Sequence, residues 1–420
     1  MRTQRRWWAT LGVLVATGAL VTACGSSGGS ASGTGSSSPQ TAGSAATGSE
    51  IVLGNVGSYG GPQASSEGGV PKVIDAWQQW VNAHGGVAGH KVRVIVKDDA
   101  DDPAKAVAAV KELIEADHVV AIVGANSNVD GSWAAYAASK GVPVLGGASF
   151  DTPYFTNADF FPTGANLVAM IYGALALAKS VGPTTGVLYC AEAPQCAQAV
   201  PLDKALAQAV GVQLPVLLPV SATAPDYTAL CQKLKEAGVQ SYEVGSAAAV
   251  AVRVAEACKS QGVDAVQINV DGTLSQAWLT SPAFEGTLVS EVQAPFFLDT
   301  TPAHKEYRDA IAKYAPDLGA LDNPNAFYAW VGGKLLEAAV AKAPAGPVTS
   351  ASIKQGLYAL HGETLGGLAP PLTYTEGKPT IINCTYTIGI SGGKLTAPDG
   401  DKTQCAPDAV VNAVVAKLAG

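Results

Sequence analysis

From Glu50 onward, short apolar runs alternate with stretches whose apolar residues recur every three to four positions. The first pattern marks buried strands and the second marks amphipathic helices. The runs predict strands at 51–56, 92–96, 119–123, 142–145, 186–189, 241–244 and 265–269. A helix is predicted over 103–116, where Val107, Val110, Leu113 and Ile114 share a face. Asp102 supplies its N-cap and Pro103 its first helical position. A second is predicted over 227–237, closed by Gly238. Repeated βα units imply parallel sheets covered by helices on both faces. Roughly 370 residues exceed what one core usually holds, so two lobes are expected.

The first 49 residues follow a different pattern. Arg2, Arg5 and Arg6 precede an uncharged stretch, 7–23, that is too short and wrongly flanked for a membrane span. It ends in Val21-Thr22-Ala23-Cys24, which resembles the lipobox of bacterial lipoproteins. The expectation is a signal peptide over 1–23, lipid on Cys24 and a flexible linker over 24–49. Residues 25–49 are almost entirely Gly, Ser, Ala and Thr, which bury too little apolar surface to offset the entropy of ordering. Such a coil holds the folded body on the order of 28 Å from its anchor. The Arg5-Arg6 pair leaves twin-arginine export open beside the general route.

The formal charge is −8, and losing the signal leaves 34 acids against 23 Lys and Arg. That balance argues against nucleic acid and against a polybasic membrane surface, so lipidated Cys24 is the expected membrane contact. Seven cysteines become six beyond Cys24, an even number suited to disulfides in an exported chain, though six allow fifteen pairings. Proximity orders them as Cys190 with Cys196, Cys231 with Cys258, and Cys384 with Cys405. None has zinc-type spacing, so no metal or other cofactor is expected.

In doubly wound sheets, ligands sit beyond the carboxyl ends of strands and near helix N-termini. That rule selects Gly57-Ser58-Tyr59-Gly60-Gly61, Gly124-Ala125-Asn126-Ser127-Asn128, Gly146-Gly147-Ala148-Ser149, residues 191–195, Ser246-Ala247 and Asp271-Gly272. Small residues let backbone N–H groups approach a ligand, and serine adds a donor. Ser127 and Ser149 could equally cap helices, and Asp271-Gly272 could be only a turn. Asp98, Asp99, Asp101 and Asp102 lack calcium-loop spacing and are read as capping and solvated groups. Trp133, Tyr154 and Trp278 follow candidate loops and are expected at the cleft mouth.

The order of these motifs resembles the type I periplasmic binding proteins of the branched-chain amino-acid transport family, over most of the chain from Glu50 to Lys402. Its most specific piece runs from Asn82-Ala83-His84-Gly85-Gly86-Val87-Ala88-Gly89 to Asp98-Asp99-Ala100-Asp101-Asp102-Pro103. Gly147-Ala148-Ser149 and Pro371-Leu372-Thr373-Tyr374 add to it. The resemblance implies two α/β lobes, each a doubly wound parallel sheet, joined by a three-crossover hinge. It places the first lobe at 50–165 plus 295–373 and the second at 166–294 plus 374–420.

The resemblance also implies a ligand set: Ser58, Tyr59, Asn126, Ser127, Gly147, Ala148, Ser149 and Asp271. Ser127 matches the serine that holds a ligand carboxylate, Gly147-Ala148-Ser149 the small-small-hydroxyl segment, and Asp271 the acid that holds a ligand ammonium. Ala247 stands where relatives carry a tyrosine, and the family's first-lobe disulfide positions read Asp101 and Asn126. The implied function is capture of a small carboxylate-bearing solute, an amino acid in the first instance, by a monomer working with an ABC permease.

Enzyme readings fare worse. Gly54, Gly57 and Gly60 lack the G-x-G-x-x-G spacing of a dinucleotide loop, and no G-x-S-x-G elbow occurs. His84, His90, His118, His304 and His361 are scattered, and none pairs in sequence with a nucleophile. The rival from another class is a ligand sensor on the same fold working with a receptor, and a non-amino-acid solute such as an aromatic acid or amide is the alternative ligand. The tethered N-terminus favours uptake.

Overall fold

The computed structural model describes residues 48–192, 194–270, 272, 274–319 and 322–418. The lipobox, with Cys24, lies outside the described residues. The described residues form two large sheets and a two-stranded antiparallel ribbon, His361–Glu363 with Leu372–Thr373. The first contains β1 (Gly48–Gly57), β2 (His90–Asp98), β3 (Ile122–Ala125), β4 (Val144–Gly147) and β5 (Phe160–Phe161), all parallel, in the order β2-β1-β3-β4-β5. The second begins with β6 (Thr184–Cys190), β7 (Gln213–Val220), β8 (Ser241–Gly245), β9 (Val266–Val270) and β10 (Leu288–Glu291). Its five parallel strands run β7-β6-β8-β9-β10. Position for position this is the order of the first sheet, a doubly wound arrangement repeated.

The second sheet departs from a purely parallel plan. The strand Cys384–Ser391 pairs antiparallel with β10 and carries Lys394–Thr396 and Gln404–Cys405 on its other side. Three strands outside the apolar pattern are explained by their places. β5 is two residues long, β10 is four, and β7 contains Pro215 and Pro219 yet sits on the sheet edge, where a missing N–H is tolerated.

The chain passes between the sheets three times, in residues 162–166, 292–301 and 374–383. The second crossing delivers the helix Pro324–Lys342 to the first sheet. Asn323 caps it through its Oδ1, which accepts from the Ala326 N–H, and Pro324 occupies its first turn. The helix is apolar on nearly all sides because it lies between β3, β4 and the helix Val70–Ala83. Two glycines permit that approach. A Cβ on Gly332 would stand 2.8 Å from the Gly124 nitrogen, and one on Gly333 would stand 2.3 Å from the Trp77 ring. Trp77 is fully buried there, its indole N–H donating to Glu337 at 2.8 Å.

All six described cysteines are on the second lobe and pair as proximity orders them: Cys190–Cys196, Cys231–Cys258 and Cys384–Cys405. The middle bridge joins the helices Thr228–Glu236 and Ala248–Ser260 in the core. No helix among the described residues is long and apolar enough to cross a membrane.

Candidate functional site

In the order β2-β1-β3, the chain leaves β1 in one direction and returns on its other side, so a crevice opens between the carboxyl ends of β1 and β3. Ser58 follows β1, Asp99 follows β2, and Asn126 and Ser127 follow β3, all fully or nearly fully buried. Asp99 ties them together. Its Oδ1 accepts from the Ser58 hydroxyl at 2.7 Å and its Oδ2 from the Ser127 hydroxyl at 2.5 Å. The turn that aims it is strained. Ala100 and Asp101 are both left-handed, with φ of 51° and 62°, and the Asp101 N–H donates back to Asp99 at 3.0 Å. Asp102 caps the next helix as its sequence predicts, whereas Asp99 is withdrawn from solvent rather than solvated.

The remaining candidates divide into those near this crevice and those turned away. Tyr59 donates its hydroxyl to Asn55 Oδ1 at 2.5 Å, back into the first lobe, and its ring packs beneath Gly57. Gly147 takes φ of 111° because a Cβ there would meet the Ala125 carbonyl at 1.9 Å. That close approach lets Ala148 donate its N–H to the same carbonyl at 3.0 Å. Ser149 Oγ accepts from the Thr163 and Gly164 N–H groups at 3.1 and 3.2 Å, so it fastens the first crossover. Neither serine caps a helix. Asp271 lies outside the described residues. Trp133, Tyr154 and Trp278 are core residues, not the cleft mouth: all three are at most 1 % exposed, Trp133 and Tyr154 against Phe160, Trp278 stacked on Phe284.

The lobes meet beside this crevice. Ser66 Oγ accepts from the Ala248 N–H at 3.2 Å, capping a second-lobe helix that has no cap of its own. Asn325 reaches from the long first-lobe helix to the Gly272 carbonyl at 3.0 Å and to the Ser66 carbonyl at 3.4 Å. Phe150, after β4, packs edge-on to Tyr328 and faces Gly272.

Four acids missed by the pattern of the chain line the same side. Glu67 is next to the Ser66 contact, Asp130 follows Ser127, Asp151 follows Ser149, and Asp99 stands between the two serines. Asn128 links Glu67 to Asp101 by donating to both, at 3.1 and 2.9 Å. Burial pushes the Glu67 carboxyl well above its ordinary range against the pull of Asn128, and Asp101, Asp151 and Asp99 push it further. Burial, then Asp151, does the same to Asp130. Burial raises Asp151 to about 8 and raises Asp99 despite its two serine donors. Each acid lies within a few residues of the end of a strand or in a short helix that follows one. That was the available signal. No group of three or more His, Cys, Asp or Glu side chains among the described residues is placed to hold a metal ion.

Two doubly wound sheets of one strand order, joined by three crossovers, define the architecture of a periplasmic binding protein. The chain belongs to the periplasmic binding protein family, whose model matches residues 50–394. Its fold is shared by a branched-chain amino acid ABC transporter protein from Thermus thermophilus with bound valine, at a TM-score of 0.76 and 16% identity over 87% of this chain and 98% of that one. An ABC transporter substrate-binding protein from Aeropyrum pernix matches at 0.74 and 17%, with the same coverage. A fatty acid ABC transporter substrate-binding protein from Thermomonospora curvata matches at 0.71 and 21%, over 87% and 94%. An amino acid binding protein of Pseudomonas aeruginosa is 32% identical over 75 residues, which span 18% of this chain and 20% of that relative.

Proposed function

We propose that this protein is the extracytoplasmic solute-binding component of an ABC importer. It captures a small carboxylate-bearing solute of the amino-acid class between its lobes and presents it, as a monomer, to a membrane permease. Cys24 carries the lipid that keeps it at the outer face of the cell membrane. The lobes divide at 165/166, 294/295 and 373/374, and closure is a hinge motion about those crossovers. The observation that carries the reading is a set of buried polar atoms with no hydrogen-bond partner among the described residues, Asn126 Nδ2, Glu67 Oε2 and Asp130 Oδ2, in the segments that follow β1 and β3. Such atoms are costly unless a ligand engages them. Ser58 and Ser127 both donate to one carboxylate, and among the described residues no histidine accepts from either, which suits binding better than nucleophilic attack.

Calorimetry and thermal shift with the twenty amino acids test the solute class. At least one is expected to bind, and binding of none at millimolar concentration retires the amino-acid reading. Mass spectrometry of the N-terminal peptide from membrane-extracted protein tests the anchor: diacylglycerol on Cys24 is expected, and an unmodified Cys24 sinks it.

A further inference from the structure

Outside the three crossovers, the lobes touch through uncharged groups. Among the described residues three hydrogen bonds join them there, and no ion pair does. The Ser66 hydroxyl accepts from the Ala248 N–H at 3.2 Å, and Asn325 donates to the Gly272 carbonyl at 3.0 Å. Gln276 donates to the Asp322 carbonyl at 3.3 Å. The first-lobe groups come from the short helix Ala64–Glu67 and from 322–325, where the long helix Pro324–Lys342 begins. The second-lobe groups come from the start of the helix Ala248–Ser260, the turn after β9 and the turn Gln276–Thr280.

Ser66 is the centre of this seam. It is 3 % exposed, and its carbonyl accepts from the side-chain amides of Asn323 at 2.9 Å and Asn325 at 3.4 Å. Asn323 is itself fixed, because its Oδ1 caps the long helix at the Ala326 N–H. The Ser66 backbone is thus pinned to a rigid element, and its hydroxyl is presented to the other lobe. There it meets a helix start with Ala247 at the N-cap, which has no side-chain acceptor to offer. The N–H groups of a first helical turn have no partner inside the helix. Ala248 is 1 % exposed, so water does not readily replace the missing acceptor. Ser66 Oγ, 182 residues away along the chain, takes that place. A hydrogen bond of this length survives little separation, so it exists only while the lobes are shut.

Resting on the solute-binding reading above, we propose that Ser66, pinned by Asn323 and Asn325, is a positioning residue for closure. It caps the helix Ala248–Ser260 across the cleft and so sets how long a solute is retained, not which solute is taken. Opening leaves the Ala248 N–H and the Gly272 carbonyl to water, and closing returns a partner to each. This clasp favours the closed state by the same amount whatever lies between the lobes, so its loss multiplies every dissociation rate by one factor. A side chain that touches the solute behaves differently, because its loss changes the order of preference.

The test uses full-length protein. Hydrogen exchange without solute follows the peptide that begins the helix Ala248–Ser260, and stopped-flow binding follows each amino acid that the calorimetric screen finds to bind. Ser66→Ala should speed exchange of the Ala248 amide about fivefold, the effect of one lost cap, and leave β8 and β9 unchanged. It should raise the dissociation rate of every bound amino acid by the same factor, about fivefold, with association rates and ranking kept. Asn325→Asp sets an acceptor against the carbonyls of Gly272 and Ser66, and should act in the same direction by about tenfold or more. Exchange at Ala248 that Ser66→Ala leaves untouched overturns the proposal. So does a changed ranking of amino acids, which would make Ser66 a solute contact. Faster exchange spread through β8 and β9 also overturns it, since Ser66 would then support the fold and not its closure. Should Ser66→Ala fail to fold, Asn325→Asp carries the same readouts. Should none of the twenty amino acids bind, the amino-acid reading falls and the exchange result still decides the clasp.

Discussion

The two lobes share one strand order and differ in how they are held together. The main sheet of the first is all parallel, and this lobe has no cysteine and is fastened by a buried helix whose Gly332 and Gly333 let it touch β3, β4 and Trp77. The second adds an antiparallel extension and carries all three described disulfides. The first leaves Asn126 Nδ2, Glu67 Oε2 and Asp130 Oδ2 buried without a hydrogen bond among the described residues, and the second stiffens its helices and its last strands covalently. One topology thus supports a half that carries the proposed site and a stapled half. The difference lies in side chains, not in the winding.

Several substitutions and one change of condition probe that contrast, from the largest effect down. Trp77→Ala should cost about 3–5 kcal/mol, the usual range for a buried tryptophan, and should open the first lobe ahead of the second. Hydrogen exchange resolved by lobe checks it, and loss shared equally by both lobes would contradict separate fastening. Removing the Cys231–Cys258 bridge by a double Cys→Ser change should cost about 3 kcal/mol and fall on the second lobe. The Cys384–Cys405 pair, closing a loop of similar length, should behave alike, and Cys190–Cys196 should cost less because it closes only a short loop. Non-reducing peptide mapping that found crossed pairs would overturn the assignment.

The acids make the unliganded protein pH-sensitive in a known direction. Their folded-state pKa values lie above the unfolded ones, so the fold binds more protons than the open chain between those values. The stability this gives is fully present below about pH 4, and for Asp151 it is lost as pH rises through about 8. In the second lobe Glu243, also raised to about 8, and Asp203, raised to about 7, add to the same slope through their burial. Melting temperature should therefore fall between pH 5 and 8, and Asp130→Asn should flatten the slope. A flat wild-type profile would show the acids to be solvated. The smallest effect is expected from Ser66→Ala, about 1 kcal/mol for a lost cap, felt as looser closure in X-ray scattering rather than as unfolding.

Much of this fold was legible in the chain. The first two strands and the capped helix Pro103–Glu115 follow from apolar spacing and from Asp102-Pro103, because local rules act within a few residues. β7 was hidden by Pro215 and Pro219, which an edge position tolerates. The site was legible only in part. Ser58, Asn126, Ser127 and Ser149 stand out because each follows a strand. Glu67, Asp99, Asp130 and Asp151 are separated by 21 to 32 residues along the chain, and only the β2-β1-β3-β4 order brings their loops to one side. No spacing rule anticipates that convergence. Nor does any predict that Tyr59 turns inward, a result of Asn55 being buried in β1 with an acceptor to satisfy.

The most direct test is the crystal structure of the complex with whichever amino acid binds most tightly. The solute should lie between the lobes, with a polar atom within about 3.2 Å of Asn126 Nδ2, the distance of an ordinary hydrogen bond. A solute seated away from the loops that follow β1, β3 and β4 would contradict the reading of this crevice as the binding site.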